Sequence, residues 1–152
     1  MPSLYGVTAP YLRGAYAHDL APNARMATWP VAFDAFDAFA PLVEARALGL
    51  GAVRTWLCEG GEGIEIDERG AVTGVSERLL SSIAVIQEGA ALSGTRIYWT
   101  LLDANSAFRD GDAITRSILE DGDQAARFAE HVAAEIAAAL DPALTVALEI
   151  VS

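Results

Sequence analysis

The chain has 152 residues, 53% of them hydrophobic, and this length and composition indicate one folded domain with a single core. The formal net charge is −11, which argues against a nucleic-acid partner, because a phosphate backbone binds clustered cations. One cysteine, Cys58, excludes an intramolecular disulfide, and two distant histidines make no zinc site. No apolar run reaches the ~20 residues of a membrane span and no signal peptide opens the chain, so the default expectation is the cytoplasm.

The first half of the chain predicts strands alternating with a helix. LYGVTAPYL is typical of a strand that runs into a loop rich in Tyr, His, Asp, Pro and Asn. FDAFDAFAPLVEARALGLG has apolar residues three and four apart and predicts a helix, with Pro41 either in its first turn or at a bend. AVRTWLC is the second predicted strand, and IEIDERGAVTG predicts a small hairpin after it.

The second half of the chain continues the alternation. SERLLSSIAVIQEGAALSG predicts a helix with Ser76 as its N-cap. RIYWTLLDA predicts a third strand, DGDQAARFAEHVAAEIAAAL a long helix, and LTVALEIV a fourth strand. Such alternation favours a parallel α/β sheet, either open and doubly wound or half of a (β/α)8 barrel.

Residues 1–152 form a single α/β domain in this interpretation, since no low-complexity linker divides them. No G-x-G-x-x-G or Walker loop follows the first strand, so we expect no nucleotide, and no other cofactor is indicated. The acidic residues around the hairpin do not have the spacing of a calcium loop, and no metal is expected.

Four stretches, in order, resemble the catalytic barrels of the large glycoside hydrolase clan that includes cellulases and mannanases. GLGAVRTWL is similar to the clan's helix-to-strand join, G-x-x-x-V-R-x-W, and GVTAPYLRGAYAHDLAPN to the first-strand loop of its cellulase-like members. TGVSERLLSSIAVIQEGAALSGTRIYWTLLD resembles their second helix and third strand, and VALEIVS the approach to the fourth strand's Asn-Glu-Pro. The resemblance implies a parallel (βα)4-type half of a TIM barrel, with a small hairpin inserted after strand two.

The resemblance also implies where the catalytic carboxylates would lie. In this clan the Glu of Asn-Glu-Pro is the general acid/base, and a Glu at the end of the seventh strand is the nucleophile. Ser152 stands at the Asn position, so we expect both carboxylates to lie beyond these residues. Because a retaining glycosidase needs both, this half alone is expected to be inactive. Its expected ligand is an oligosaccharide or glycoside, and its expected partner the missing C-terminal half barrel.

Several side chains are candidates for a sugar site at the carboxyl ends of the strands. The resemblance gives Arg54 a supporting role beside the nucleophile, while a structural ion pair is the alternative. Glu149 is expected to be a barrel-interior partner of Arg54, since a buried unpaired carboxylate is costly. The expected sugar-binding residues are His18, Asp19, Trp56, Glu59, Asp103 and Asn105. Alternatively, Asp103 and Asn105 form an Asx turn and the loop with His18 is simply solvated.

Two further interpretations stay open from the sequence. The chain could be a self-contained half barrel that closes as a homodimer, because bare strand edges invite pairing. It would then act as a non-catalytic carbohydrate-binding or scaffold protein. An open flavodoxin-like domain is the least favoured alternative, because the phosphate loop is missing.

Overall fold

The computed structural model of the protein describes residues 6–8, 35–109 and 111–152. The strands in these ranges are β1 (Gly6–Thr8), β2 (Ala52–Trp56), β3 (Ile64–Ile66), β4 (Val72–Val75), β5 (Arg96–Leu102) and β6 (Thr145–Val151). The helices are α1 (Ala35–Ala47), α2 (Glu77–Ser93), α3 (Ala104–Phe108), α4 (Ala113–Glu120), α5 (Gly122–Phe128) and α6 (Ala134–Ala139). A 3-10 turn lies at Glu59–Gly61, and a π-helical turn at Ala129–Ala133 joins α5 to α6.

The main sheet has the strand order of a barrel. Its described strands are all parallel and are ordered β1-β2-β5-β6, with the separate hairpin β3-β4 inserted between β2 and β5 in the chain. An open doubly wound sheet reverses its order at a switch point, whereas each strand of a (β/α)8 barrel pairs with the next. The expected half barrel with a hairpin insertion is confirmed, and the flavodoxin-like alternative is wrong.

The helices cover one face of this sheet. α1 contacts β2, and α2 contacts α1, β5 and α6. Strand residues that face the helices are buried: Val53, Thr55, Ile97, Trp99 and Leu101. Trp99 is 0% exposed and so belongs to the core, and its indole N–H donates to Thr145 Oγ1 at 3.2 Å. The alternate side chains of the strands lie on the other face, called the uncovered face below, where Arg54 and Trp56 are half-buried and Thr100 is fully buried.

α2 has the cap and the stripe that its sequence predicts. Ser76 Oγ accepts from the Leu79 N–H at 3.2 Å, and Gly94 ends the helix with a left-handed φ of 71°. The buried stripe of α2 packs against α1 at Gly89, where a Cβ would lie 2.4 Å from Phe39 Cδ1. Pro41 lies well inside α1 and not in its first turn.

The side chain of Gln124 on α5 forms hydrogen bonds to the backbone of the hairpin β3-β4. Val72 N donates to Gln124 Oε1, and Gln124 Nε2 donates to the carbonyl of Gly70, both at 3.0 Å. The turn is closed by Asp67 Oδ1, which accepts from the N–H groups of Arg69 and Ala71. The hairpin is thus a separate two-stranded sheet held against a helix.

Within the described residues, no helix combines the length and the apolar character that crossing a bilayer requires.

Candidate functional site on the uncovered sheet face

Arg54 is the centre of a hydrogen-bonded group on the uncovered face. Its Nε donates to Thr100 Oγ1 at 3.0 Å, and its Nη2 forms an ion pair and hydrogen bond with Glu149 Oε2. The strand register explains this grouping, because Glu149 of β6 is the direct partner of Thr100 on β5. The side chains of Arg54 and Glu149 are 30% and 29% exposed, so the ion pair is accessible to solvent.

The hydroxyl of Thr100 has one possible orientation in this group. A guanidinium is only a donor and an ionised carboxylate only an acceptor. The Thr100 hydroxyl must therefore accept from Arg54 Nε and give its single hydrogen to Glu149 Oε2, which lies 2.9 Å away. Thr100 itself is 0% exposed. A buried hydroxyl thus closes a ring of three hydrogen bonds that fixes the plane of the guanidinium.

Two aromatic rings lie beside the guanidinium. Arg54 Cζ is 4.5 Å from the ring centre of Trp56 and 5.4 Å from that of Tyr98, both within cation–π range. Trp56 lies two residues along the same strand, and Tyr98 is the cross-strand partner of Arg54. Sequence reasoning missed Tyr98, although the alternation in RIYWTLL places it on the same face as Thr100.

The carboxyl ends of β2, β5 and β6 meet at Ser152. The indole N–H of Trp56 donates to Ser152 Oγ at 3.0 Å, and the Ala104 N–H donates to the Ser152 carbonyl at 3.2 Å. Asp103, which immediately precedes Ala104, is the N-cap of α3. The structure therefore places Trp56 and Asp103 at the same edge of the sheet, as strand ends of parallel strands require.

Asp103 and Asn105 also form a local turn. Asp103 Oδ1 accepts from the backbone N–H of Asn105 at 2.8 Å and from its Nδ2 at 3.1 Å. This is the Asx-turn arrangement that the sequence left as an alternative to sugar binding. Both side chains keep exposed polar atoms at the strand ends, so the turn does not exclude contact with a ligand.

Three expected site residues have no described side chain. His18 and Asp19 lie outside the described residues. Glu59 begins the 3-10 turn after β2, and its side chain is likewise outside the described part of the chain.

Two buried side chains, Cys58 and Glu62, follow β2 in the chain and lie inside the core. Cys58 is fully buried, and burial, together with the nearby charge of Glu62, raises the pKa of its thiol far above the usual range. Cys58 therefore acts as a buried packing residue, because only a thiolate would be reactive. Among the described residues, no group of three or more His, Cys, Asp or Glu side chains is arranged to hold a metal ion.

Comparison with known proteins supports the fold independently. No protein-family model and no curated protein sequence matches the chain. Among solved structures, β-mannanase from the blue mussel Mytilus edulis matches with a TM-score of 0.71 and 19% identity, over 98% of this chain and 40% of that one. β-1,4-Mannanase from the sea hare Aplysia kurodai matches with a TM-score of 0.69 and 14% identity, over 97% and 41% of the two chains.

A third match extends the same result. β-1,4-D-Mannanase from Cryptopygus antarcticus has a TM-score of 0.68 and 16% identity, over 97% of this chain and 39% of that one. The chain thus spans about two fifths of the length of these enzymes. At these identities the likeness concerns the fold alone, and the expected half of a TIM barrel is confirmed.

Proposed function

We propose that this chain is the first half of a glycoside hydrolase catalytic barrel that acts on β-mannan-type oligosaccharides. The observation that carries the proposal is the parallel sheet in chain order, which matches about 40% of several β-mannanases over nearly all of this chain. A (β/α)8 barrel has eight strands, so the partner that the proposal requires is a second half barrel.

The chemistry of the uncovered face is compatible with a sugar ligand. Sugar rings present apolar C–H faces and polar hydroxyls, and pockets that bind them combine aromatic rings with a few fixed polar groups. Trp56 and Tyr98 supply the rings here, and the Arg54–Glu149 pair supplies donors and an acceptor. In the proposal Trp56 lines the sugar subsite, and Asp103 and Asn105 contribute at its rim.

The same proposal assigns this half no acid/base and no nucleophile. Glu149 is the one carboxylate on the described parallel strands, and its Oε2 already accepts from Arg54 and Thr100. Retaining glycosidases need two carboxyl groups about 5 Å apart on either side of the scissile bond. Arg54 would act in support of a carboxylate from the second half barrel, and this chain alone would not hydrolyse glycosides.

The proposal is tested by measuring sugar binding and hydrolysis separately. We expect mannohexaose to shift the NMR resonance of the Trp56 indole N–H, assigned through a Trp56→Phe variant, because that ring borders the proposed subsite. We expect the chain alone to release no reducing ends from mannan. Hydrolysis by the chain alone would contradict the half-site assignment, and an unshifted Trp56 resonance at saturating sugar would contradict the carbohydrate role.

A second candidate function rests on the outer strand of the sheet. β6 pairs with β5 on one side, and no described strand pairs with its other side. Ile150 and Val151 of this strand are 45% and 36% exposed, although both are large and apolar. A second copy of the chain could cover them and close a barrel around a two-fold axis, which would give a non-catalytic carbohydrate-binding dimer.

A further inference from the structure

The Arg54–Thr100–Glu149 group has hydrogen-bonding capacity that its own members do not use. A guanidinium has five N–H donors, and Arg54 spends one on Thr100 and one on Glu149. Both hydrogen bonds to Glu149 end on the same oxygen, Oε2. Among the described residues, neither Arg54 Nη1 nor Glu149 Oε1 has a partner, and both side chains are about one-third exposed.

We propose that this ion pair is a binding site for two neighbouring hydroxyl groups of one sugar ring. One hydroxyl accepts from the Arg54 Nη1 N–H, and the adjacent hydroxyl donates to Glu149 Oε1. Each hydroxyl can donate and accept, so a vicinal pair matches a donor and an acceptor that lie side by side. This inference rests on the proposed function and names the ligand chemistry of the same site.

The charges of the pair favour a neutral ligand. A carboxylate fixed on a second half barrel would use another of the remaining Arg54 N–H groups. For a freely diffusing ligand the pair carries no net charge, so an ion that one member attracts is opposed by the other. A neutral hydroxyl bonds to both without such a penalty, and hydrogen bonds to charged groups are the stronger kind. The adjacent Trp56 and Tyr98 rings add apolar surface for the C–H face of the same sugar.

Thr100 is a positioning residue in this site. Its buried hydroxyl holds both Arg54 Nε and Glu149 Oε2, so the outward-facing atoms of the pair are set before the ligand arrives. A preorganised site binds more tightly because less side-chain freedom is lost on binding. Thr100→Val, which removes the hydroxyl and keeps the shape, should therefore weaken binding, while Thr100→Ser should restore it.

The experiment is an NMR titration of the chain with mannohexaose. The resonance of the Arg54 Nε–H, assigned by its loss in Arg54→Lys, should move together with the Trp56 indole signal. Glu149→Gln should raise the Kd about tenfold or more, because a charged acceptor is replaced by a neutral one. Glu135→Gln on α6 is the matched control, since Glu135 is exposed and lies on a helix, whereas the pair lies on the sheet face opposite the helices.

The outcomes separate this inference from the proposed function. If the Trp56 signal moves while the Arg54 Nε–H stays fixed, or if Glu149→Gln binds like the wild type, the sugar binds elsewhere and only this inference is overturned. If neither signal moves, the carbohydrate role falls as well. If Glu149→Gln fails to fold, the test passes to Thr100→Val and Thr100→Ser, where equal Kd values would overturn the inference.

Discussion

Glu149 contributes orientation more than stability at its place beside Arg54. The pair is about one-third exposed, and ion pairs in contact with water contribute about 0–1 kcal/mol to folding. Its value lies in fixing a guanidinium plane that Thr100 and two aromatic rings also hold. A variant that removes the charge of Glu149 should therefore change ligand affinity while it leaves the free energy of unfolding nearly unchanged.

Because of Cys58, the free energy of unfolding should fall as the pH rises into the alkaline range. Its pKa is raised in the folded protein by burial and then by Glu62, while in the unfolded chain it returns to about 8.5. A group whose pKa is raised by folding stabilises the native state below its unfolded pKa, and this contribution is lost as pH rises above that value. Between pH 8.5 and pH 10 we expect this thiol to lower the free energy of unfolding by about 1.5 kcal/mol.

Urea unfolding of the wild type and of Cys58→Ala at both pH values measures this effect. The variant has no thiol to titrate, so its loss of stability over the same interval should be smaller by about that amount. Parallel pH profiles for the two proteins would show that Cys58 does not carry the dependence.

At the scale of elements, the contact between α1 and α2 depends on a glycine. A Cβ on Gly89 would lie 2.4 Å from Phe39 Cδ1 and 3.1 Å from Leu42 Cδ1, so Phe39 would have to move. We expect Gly89→Ala to destabilise the protein by about 1–2 kcal/mol net, because this overpacking outweighs the gain of about 1 kcal/mol from the better helix propensity of alanine. Gly122→Ala in α5 is the matched control, because a Cβ there meets nothing within 4 Å.

Urea midpoints of the two variants decide this prediction. Gly89→Ala should unfold at lower denaturant than the wild type, and Gly122→Ala at the same or slightly higher denaturant. If Gly89→Ala were as stable as the wild type, α1 and α2 would not be packed as closely as described.

The elements that were predictable from sequence are those with a clear pattern of apolar residues, and, for helices, with a recognisable capping residue. α2 has Ser76 and Gly94 at its ends, and the buried strands have continuous apolar runs. α3 and α4 were missed, because helices of 5 and 8 residues are too short for an apolar period to stand out. Asp112, whose carboxylate accepts from Ile114 N and Thr115 N, was the available sign of a helix start.

The candidate site was only partly predictable for a similar reason. The period of two puts Arg54 and Trp56 on one face, and the sequence alone indicates this. The roles of Tyr98 and Thr100 depend on the register of β5 against β2 and β6, in which Tyr98 is opposite Arg54 and Thr100 opposite Glu149. Register is set by packing between strands far apart in the chain, so a single strand's sequence does not specify it.

For the whole molecule, the open question is what covers the outer side of β6. Ile150 lies on the same face of the strand as Leu148, which packs against the core, so the apolar helix-facing layer continues past the last described helix. Each copy carries a net charge of −11, and two copies in one closed barrel would repel each other at low ionic strength. A second half barrel of different sequence need not carry the same charge, which favours the first candidate function over the dimer.

Sedimentation velocity across a range of protein and salt concentrations separates the two candidates. The dimer predicts a compact species of twice the monomer's 16.0 kDa that becomes more abundant as salt screens the repulsion. Ile150→Lys should convert that species to monomer, whereas Leu92→Lys, at an exposed position on α2, should not. A monomer at every salt concentration would rule out the self-closed barrel, because screening the repulsion would then not bring two copies together, and would leave a complementary half barrel as the partner that completes the fold.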